Sequence, residues 1–270
     1  MAQASTTSSS ARPVGSATRW LLRRPAEDAA ARIFCFPYAG VGASMYVGWP
    51  RQAGPAEICL LQPPGRENRL REPHYGDYES LADDLIEHLL PYLDRPFAFF
   101  GHCSGALPGY AMTLRLMQAG MPTPSTLFVS SQVAPHHGPY SRFLSMTDDE
   151  LQLELAELVR ALGGVPDPGL LALGLAVLRA DVEATRSYRP AEPVVVPSRL
   201  TAIGWREDRE ITAEQMTGWS ECARPDRFRQ VVLPGSHYSF LSAPELLVAE
   251  LAAEMTLAVA GADSSDEDRS

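Results

Sequence analysis

Residues 97–120 read FAFFGHCSGALPGYAMTLRLMQAG, and their pattern decides the fold. The stretch opens with a short, wholly apolar run at 97–100, the kind of strand that is buried in a parallel sheet. From about Ala106 the pattern becomes helical and stops at Gly120. Between them stands Gly101-His102-Cys103-Ser104-Gly105, a G-x-nucleophile-x-G frame. A strand that turns this sharply into a helix has no room for side chains at the two flanking positions, so both are glycine. The central residue is then held in a strained conformation, its reactive atom exposed at the C-terminal edge of the sheet. The N–H of the following residue points at a developing oxyanion. Cys103 occupies the centre, and Ser104 is one place too late for the glycine frame. The spacing predicts Cys103 as nucleophile and Ser104 as a backbone oxyanion donor. Alone, five residues could be a strand–helix turn that happens to carry two glycines. The strand before, the helix after and the partners found further along decide against that.

Outward from this turn, apolar runs alternate with helical segments. Residues 32–37 (RIFCFP), 58–61 (ICLL), 126–130 (TLFVS), 198–203 (SRLTAI) and 228–233 (FRQVVL) read as strands. Leu81, Leu85, Leu89 and Leu93 mark a helix over 78–93, and residues 244–260 a closing helix. Strands alternating with helices imply an α/β fold with a mostly parallel, doubly wound sheet. Residues 139–190 break the rhythm, because they contain no strand-like run. Thr147 and Glu150 form a capping box for a helix that Gly163-Gly164 ends, and a second helix covers about 168–188. An all-helical insertion of this kind is expected to be a lid over the active site. The whole is the pattern of an α/β-hydrolase fold in one domain, residues 19–260. A Ser/Thr/Ala-rich tail, 1–18, and an acidic tail, 261–270, are expected to be disordered.

In that fold the order along the chain is nucleophile, acid, base. Of six histidines only His237, in Gly235-Ser236-His237-Tyr238, directly follows the last strand, and it is the expected base. His102 lies inside the turn and should point away from the nucleophile. His136 and His137 could line the pocket rim, while His74 and His88 read as loop and helix-surface residues. After the preceding strand come Glu207, Asp208 and Glu210. Asp208 fits the turn best as the acid that fixes the histidine tautomer, with Glu207 as alternative and Glu210 read as a solvated loop charge. The small-residue loop after the first strand, Tyr38-Ala39-Gly40-Val41-Gly42, should supply a second oxyanion N–H. Ala39 is the expected donor and Gly40 the alternative.

Composition narrows the partners. With 23 Lys and Arg against 33 Asp and Glu, the formal net charge of the 270 residues is −10 and no basic run exists, which argues against nucleic acid and anionic membrane. None of the four cysteines (Cys35, Cys59, Cys103, Cys222) sits in a C-x-x-C pair, so no metal or redox site is expected. Cys35 and Cys59 lie in apolar runs and read as buried free thiols. The first residues lack the apolar centre of a signal peptide, and no apolar stretch is long enough to span a bilayer. A cytoplasmic monomer without cofactor is the expectation.

The stretches CFPYAGVGASMY, QPPGRENRLREP, GHCSG, RADVEATRSY and GSHYSF, spread over about 19–255, together resemble the type II thioesterases of polyketide and nonribosomal peptide assembly lines. The resemblance implies a stand-alone hydrolase that clears acyl groups from the phosphopantetheine arms of acyl or peptidyl carrier proteins. It implies Cys103, Asp208 and His237 as catalytic residues, Ala39 and Ser104 as oxyanion donors, and 139–190 as the helical lid. Two features depart from the family pattern: Cys103 replaces the usual serine, and GWREDRE is an unusual acid loop. The chain also resembles aminoacyl shuttles of nonribosomal pathways, which use a cysteine nucleophile to move an acyl group between carriers. A thioester on Cys103 is nearly level in energy with a carrier thioester, so transfer is a competing reading beside hydrolysis. A third, a non-catalytic binding module, is disfavoured by the complete set of nucleophile, acid and base.

Overall fold

The computed structural model describes residues 19–267. The expected N-terminal tail, 1–18, and positions 268–270 lie outside the described residues. The elements run β1 (Ala31–Phe36), β2 (Gln52–Ala53), β3 (Ala56–Leu60), α1 (Tyr78–Leu89), β4 (Phe97–His102), α2 (Ala106–Gln118), β5 (Thr126–Ser130), α3 (Asp148–Ala161), α4 (Pro168–Ser187), β6 (Arg199–Trp205), β7 (Phe228–Leu233) and α5 (Glu245–Glu267), with short 3-10 turns between them. The strands form one sheet in the order β2-β3-β1-β4-β5-β6-β7. Every neighbouring pair is parallel except β2 with β3. β2 has two residues, too few to show any period in the sequence. It hairpins onto β3 through Gly54, whose φ of +57° is open to glycine.

The inner strands are apolar throughout because both faces of the sheet are covered. Phe34, Phe36, Phe97, Phe99, Leu127 and Val129 face one side, where they pack with α1 and α2. Ile33, Cys35, Ala98, Phe100 and Phe128 face the other, against Trp49 and the Leu247, Leu251 and Met255 stripe of α5. All four cysteines are buried and free. Asp77 caps α1 by accepting from the Ser80 N–H at 2.7 Å, and Leu81, Leu85 and Leu89 are its buried stripe. The capping box of α3 forms as the sequence suggests. The Glu150 carboxylate accepts from the Thr147 N–H at 2.7 Å, and the Thr147 hydroxyl accepts from the Glu150 N–H at 3.4 Å. Between β5 and β6 come two 3-10 turns, Pro135–His137 and Arg142–Ser145, followed by the packed pair α3 and α4. At the C-terminus the acidic tail expected from 261 is not loose over its first part, because α5 continues to Glu267. Among the described residues no helix is long and apolar enough to cross a membrane.

The turn from β4 into α2 shows why its glycines are needed. A Cβ on Gly101 would stand 2.0 Å from the Gly105 carbonyl oxygen, and a Cβ on Gly105 would stand 2.7 Å from the Pro37 carbonyl oxygen. The second clash is with the loop after β1, not with the first glycine. Both obstacles are backbone and cannot swing aside. Gly101→Ala should therefore destabilise the fold at or beyond the upper end of the roughly 1–3 kcal/mol of ordinary overpacking. Gly48→Ala, where a Cβ meets nothing within 4 Å, is the control. Thermal unfolding compares them, and equal midpoints would show that the turn is looser than described.

Candidate active site

β4 runs into a 3-10 turn, Cys103–Gly105, which leads directly into α2. The turn holds Cys103 at φ +51°, a left-handed conformation that side chains larger than glycine rarely adopt. This lifts the cysteine above the C-terminal ends of β1, β4 and β5. It is not exposed, as the motif suggests for the turn's central residue: only 5% of Cys103 reaches solvent. It forms part of the wall of a cavity of about 220 Å³, together with Pro139, Tyr140, Arg142, Leu144, Glu210 and Ile211. The loop after β5 supplies much of the rest of that wall, so the cavity joins distant parts of the chain.

The loops after β6 and β7 bring the next two residues together. His237 Nδ1 is 2.9 Å from Asp208 Oδ2, with both side chains buried. Asp208 is further held by the Ser131 hydroxyl at 2.7 Å and by the N–H groups of Glu210 at 2.8 Å and Ile211 at 3.1 Å. Burial alone would raise the Asp208 pKa, but the bonds from His237, Ser131 and Glu210 outweigh it and hold the carboxyl below its usual range. Glu207, the alternative acid, is elsewhere: its carboxylate accepts from the Gly235 N–H and ties the two loops together. Burial opposes charge on His237 as well. The hydrogen bond with Asp208, the adjacent Cys103 sulfur and the nearby Glu210 carboxylate override it, lifting the imidazole to about 10. With Asp208 on Nδ1, its Nε2 is left for the Cys103 side.

Around this line lie groups that the sequence reading did not assign. Ser131 follows β5 at φ +44° and aims its hydroxyl at Asp208. Glu210, read as a solvated charge, is half-buried. Its Oε2 is 2.9 Å from Arg142 Nε and 3.5 Å from His237 Nε2. Arg142 also pairs with Glu154 and donates to the Tyr238 hydroxyl at 2.9 Å. His102 does point away from the cysteine. Its Nδ1 is 2.9 Å from the Ser130 hydroxyl and its ring stacks on Phe240 at 3.8 Å. Burial, with the neighbouring His237, drives its pKa well below 6.5, so it sits neutral beneath His237. His136 and His137 are not on the cavity rim; they lie beside Glu221.

Ala39 and Ser104 are both buried and border a small void of about 20 Å³ with Arg66, Tyr75 and Asp181. Gly40 is excluded as a free donor, because its N–H is bonded to Asp181 Oδ2 at 2.7 Å. Asp181 belongs to α4 and is buried, yet it collects four further donors. The Arg66 guanidinium binds both of its oxygens at 2.8 Å, the Tyr75 hydroxyl donates at 2.6 Å, and His74 Nε2 lies at 2.7 Å. Burial by itself would raise Asp181, but Arg66 and His74 keep it ionised, well below the usual carboxylate range. Arg66 also donates to the Val41 carbonyl at 3.1 Å. One carboxylate thus joins α4 to the loop after β1 and to the 62–75 segment. His74, read as a plain loop residue, is part of this cluster.

A parallel sheet with this turn, a histidine after the last strand and an acid after the one before it define an α/β-hydrolase. The chain belongs to the thioesterase family: the model of the thioesterase domain matches residues 31–254. It is 34% identical over 245 residues to linear gramicidin dehydrogenase LgrE of Brevibacillus parabrevis, covering 87% of this chain and 91% of that one. Among solved structures it is similar to RedJ, the thioesterase of the prodiginine pathway in Streptomyces coelicolor, at a TM-score of 0.69 and 32% identity over 88% of this chain and 98% of that one. It is also similar to BorB, the type II thioesterase of the borrelidin cluster, at a TM-score of 0.72 and 27% identity over 87% and 97%.

Two measurements check this arrangement. Asp181→Asn leaves the Arg66 guanidinium buried without its counter-charge, so thermal unfolding should show a loss of about 3–5 kcal/mol. Adding Arg66→Met should restore part of it. If the double variant is weaker than the single by the full cost of a second independent site, the pair is not coupled. His237 should titrate near 10 by NMR of the labelled imidazole, and Asp208→Asn should lower that value. A proton held more firmly in the folded than in the unfolded chain stabilises the fold, in full below pH 6.5 and no longer above about 10. Stability should therefore fall across that window more steeply in the wild type than in His237→Gln.

Proposed function

We propose that the protein is a type II thioesterase that removes acyl groups from the phosphopantetheine arms of carrier proteins in a polyketide or nonribosomal peptide pathway, through an acyl-Cys103 intermediate. The observation that carries this reading is the buried His237–Asp208 pair beside the β4–α2 turn that holds Cys103, in a chain of the thioesterase family. The pathway class is suggested by relatives named for prodiginine and borrelidin biosynthesis.

In the proposed sequence His237 holds the proton of Cys103, and the sulfur attacks the thioester carbonyl. Asp208 fixes the ring so that Nε2 faces the sulfur and stabilises its positive charge. The oxyanion is received by the N–H groups of Ser104 and Ala39. Collapse breaks the bond to the carrier sulfur, which leaves with the proton from His237. The acyl group now masks the Cys103 sulfur, and one of the groups that lifted the His237 pKa is gone. The ring is thereby more readily neutral, and so available to accept a proton in the second step. Water, activated by His237, adds to the acyl-Cys103 carbonyl; expulsion of the sulfur and return of its proton release the acid. α3 and α4 act as the lid, docked through Asp181 onto the loop that carries Ala39.

The sulfur favours a second reading, in which another carrier thiol replaces water. A thioester intermediate is nearly level with a thioester product, whereas an oxyester would lie below it. Cys103→Ser should therefore raise the ratio of hydrolysis to transfer, whatever happens to the total rate. One acylated donor carrier and one empty acceptor carrier are supplied, and both products are quantified by intact mass. A ratio that is constant, or that shifts toward transfer, would remove the case for shuttling and leave plain editing hydrolysis.

A further inference from the structure

A group of ligating side chains lies away from the Cys103 cavity. The 3-10 turn Pro135–His137 follows β5, and the 3-10 turn Glu214–Cys222 follows β6. They meet so that Glu221 Oε1 is 3.5 Å from His136 Nε2 and 3.7 Å from His137 Nε2. The three ligand atoms all fall within 4.8 Å of one another. Around a tetrahedral zinc ion with bonds of about 2.0–2.2 Å, ligand atoms stand roughly 3.3–3.6 Å apart. Both contacts to Glu221 are close to that spacing and need only small rotations of the side chains.

One observation points to a ligand here, and a second shows how the site is held in place. The His136 side chain is only 5% exposed, yet its Nε2, which faces the cluster, makes no hydrogen bond. A buried ring nitrogen without a partner costs about 1–3 kcal/mol, and a bound cation would relieve it. The other nitrogen, Nδ1, is 3.8 Å from the Cys222 sulfur, so the ring is backed on the side away from the cluster. The second observation concerns Gly218. A Cβ there would stand 2.5 Å from His137 Nδ1, so the His137 ring occupies the space of the missing side chain. That glycine lets the turn press on His137 and keeps its Nε2 toward Glu221.

We propose that His136, His137 and Glu221 form a binding site for a divalent cation of the zinc class, with the fourth position open to water. Two neutral imidazoles and one carboxylate suit a dication of intermediate softness better than calcium or magnesium, which take oxygen ligands. No run of sequence announces the site, since Glu221 lies far along the chain from the two histidines. The ion joins the segment just before Pro139, which enters the wall of the Cys103 cavity, to the segment after the acid loop. It braces the cavity wall from behind, and the reaction at Cys103 does not pass through it.

The test uses the untagged full chain, stripped with a chelator and dialysed into metal-free buffer. Equilibrium dialysis against zinc chloride, with metal counted by mass spectrometry, should give one equivalent per chain. Cobalt(II) at the same site should show the intense visible absorption of a tetrahedral ion. His137→Ala and Glu221→Gln, both at half-exposed side chains that tolerate change, should each weaken binding at least about tenfold and abolish the cobalt bands. His136→Ala should do the same, and Gly218→Ala should weaken binding through displacement of His137. His88→Ala, on the surface of α1, is the control for a stray histidine. No binding at micromolar zinc, or binding unchanged in both His137→Ala and Glu221→Gln, would overturn the site.

Discussion

Where a side chain on Gly101 would begin, the carbonyl of Gly105 already stands. This contact lets the chain leave β4, turn within three residues and start α2 without a loop. The price is a cysteine at φ +51°, a conformation that costs roughly 1–2 kcal/mol. Burial of the β4 and α2 faces on both sides offsets it. Everything else at the site is arranged around the position where that turn throws Cys103. The sheet is parallel from β3 to β7, so the loops after β1, β5, β6 and β7 all emerge at the same edge. Ala39, Ser131, Asp208 and His237 each come from one of them, which is the general reason that open parallel sheets place their chemistry at the C-terminal ends of strands.

A second constraint acts from above the sheet. Asp181 is a charge inside the protein, and it is tolerable there only because four groups make five hydrogen bonds with it. Those donors come from the loop after β1 and from residues 66–75, while Asp181 itself comes from α4. The helical block therefore cannot be read as an independent flap hinged at its ends. Its inner helix is fastened to the loop that carries Ala39. In the wall of the Cys103 cavity, Arg142 joins the entry of the same block to Glu154, Glu210 and Tyr238. The helical block is thus held by two ionic anchors of different character: one closed to solvent, one half open.

The cysteine changes what this frame can do. An imidazole raised by Asp208, by the adjacent sulfur and by Glu210 is suited, in the proposed reaction, to hold the proton while the sulfur attacks. The same set around a hydroxyl would have to move that proton during the attack. Glu210 is the unusual member, because a half-buried carboxylate 3.5 Å from the reactive side of the histidine adds negative charge where acyl substrate must enter. Arg142 balances it, so the polarity of the cavity depends on that pair rather than on either residue alone.

Local sequence was enough for the parts of this protein that depend on neighbours in the chain. The G-x-C-x-G turn, the Thr147–Glu150 cap, the leucine stripe of α1 and the order Cys103, Asp208, His237 all follow from steric and hydrogen-bond rules acting over a few residues. The two-residue β2 and the continuation of α5 to Glu267 were not legible, the first because two residues carry no period, the second because charged small residues extend a helix as readily as they fray it. The pairing of His237 with Asp208 rather than Glu207, the capture of the Gly40 N–H by Asp181, the burial of Cys103 and the approach of Glu210 to His237 were decided only in three dimensions. Each depends on a contact between segments whose separation along the chain is set by how the sheet is threaded, and hydrogen-bond partners at that distance leave no local period or motif. The sequence by itself determined which residue types stand at the β4–α2 turn and in the loops after β6 and β7; the tertiary structure decided which groups share a charge and a cavity, because burial and electrostatic pairing exist only once the strands have been brought to one edge.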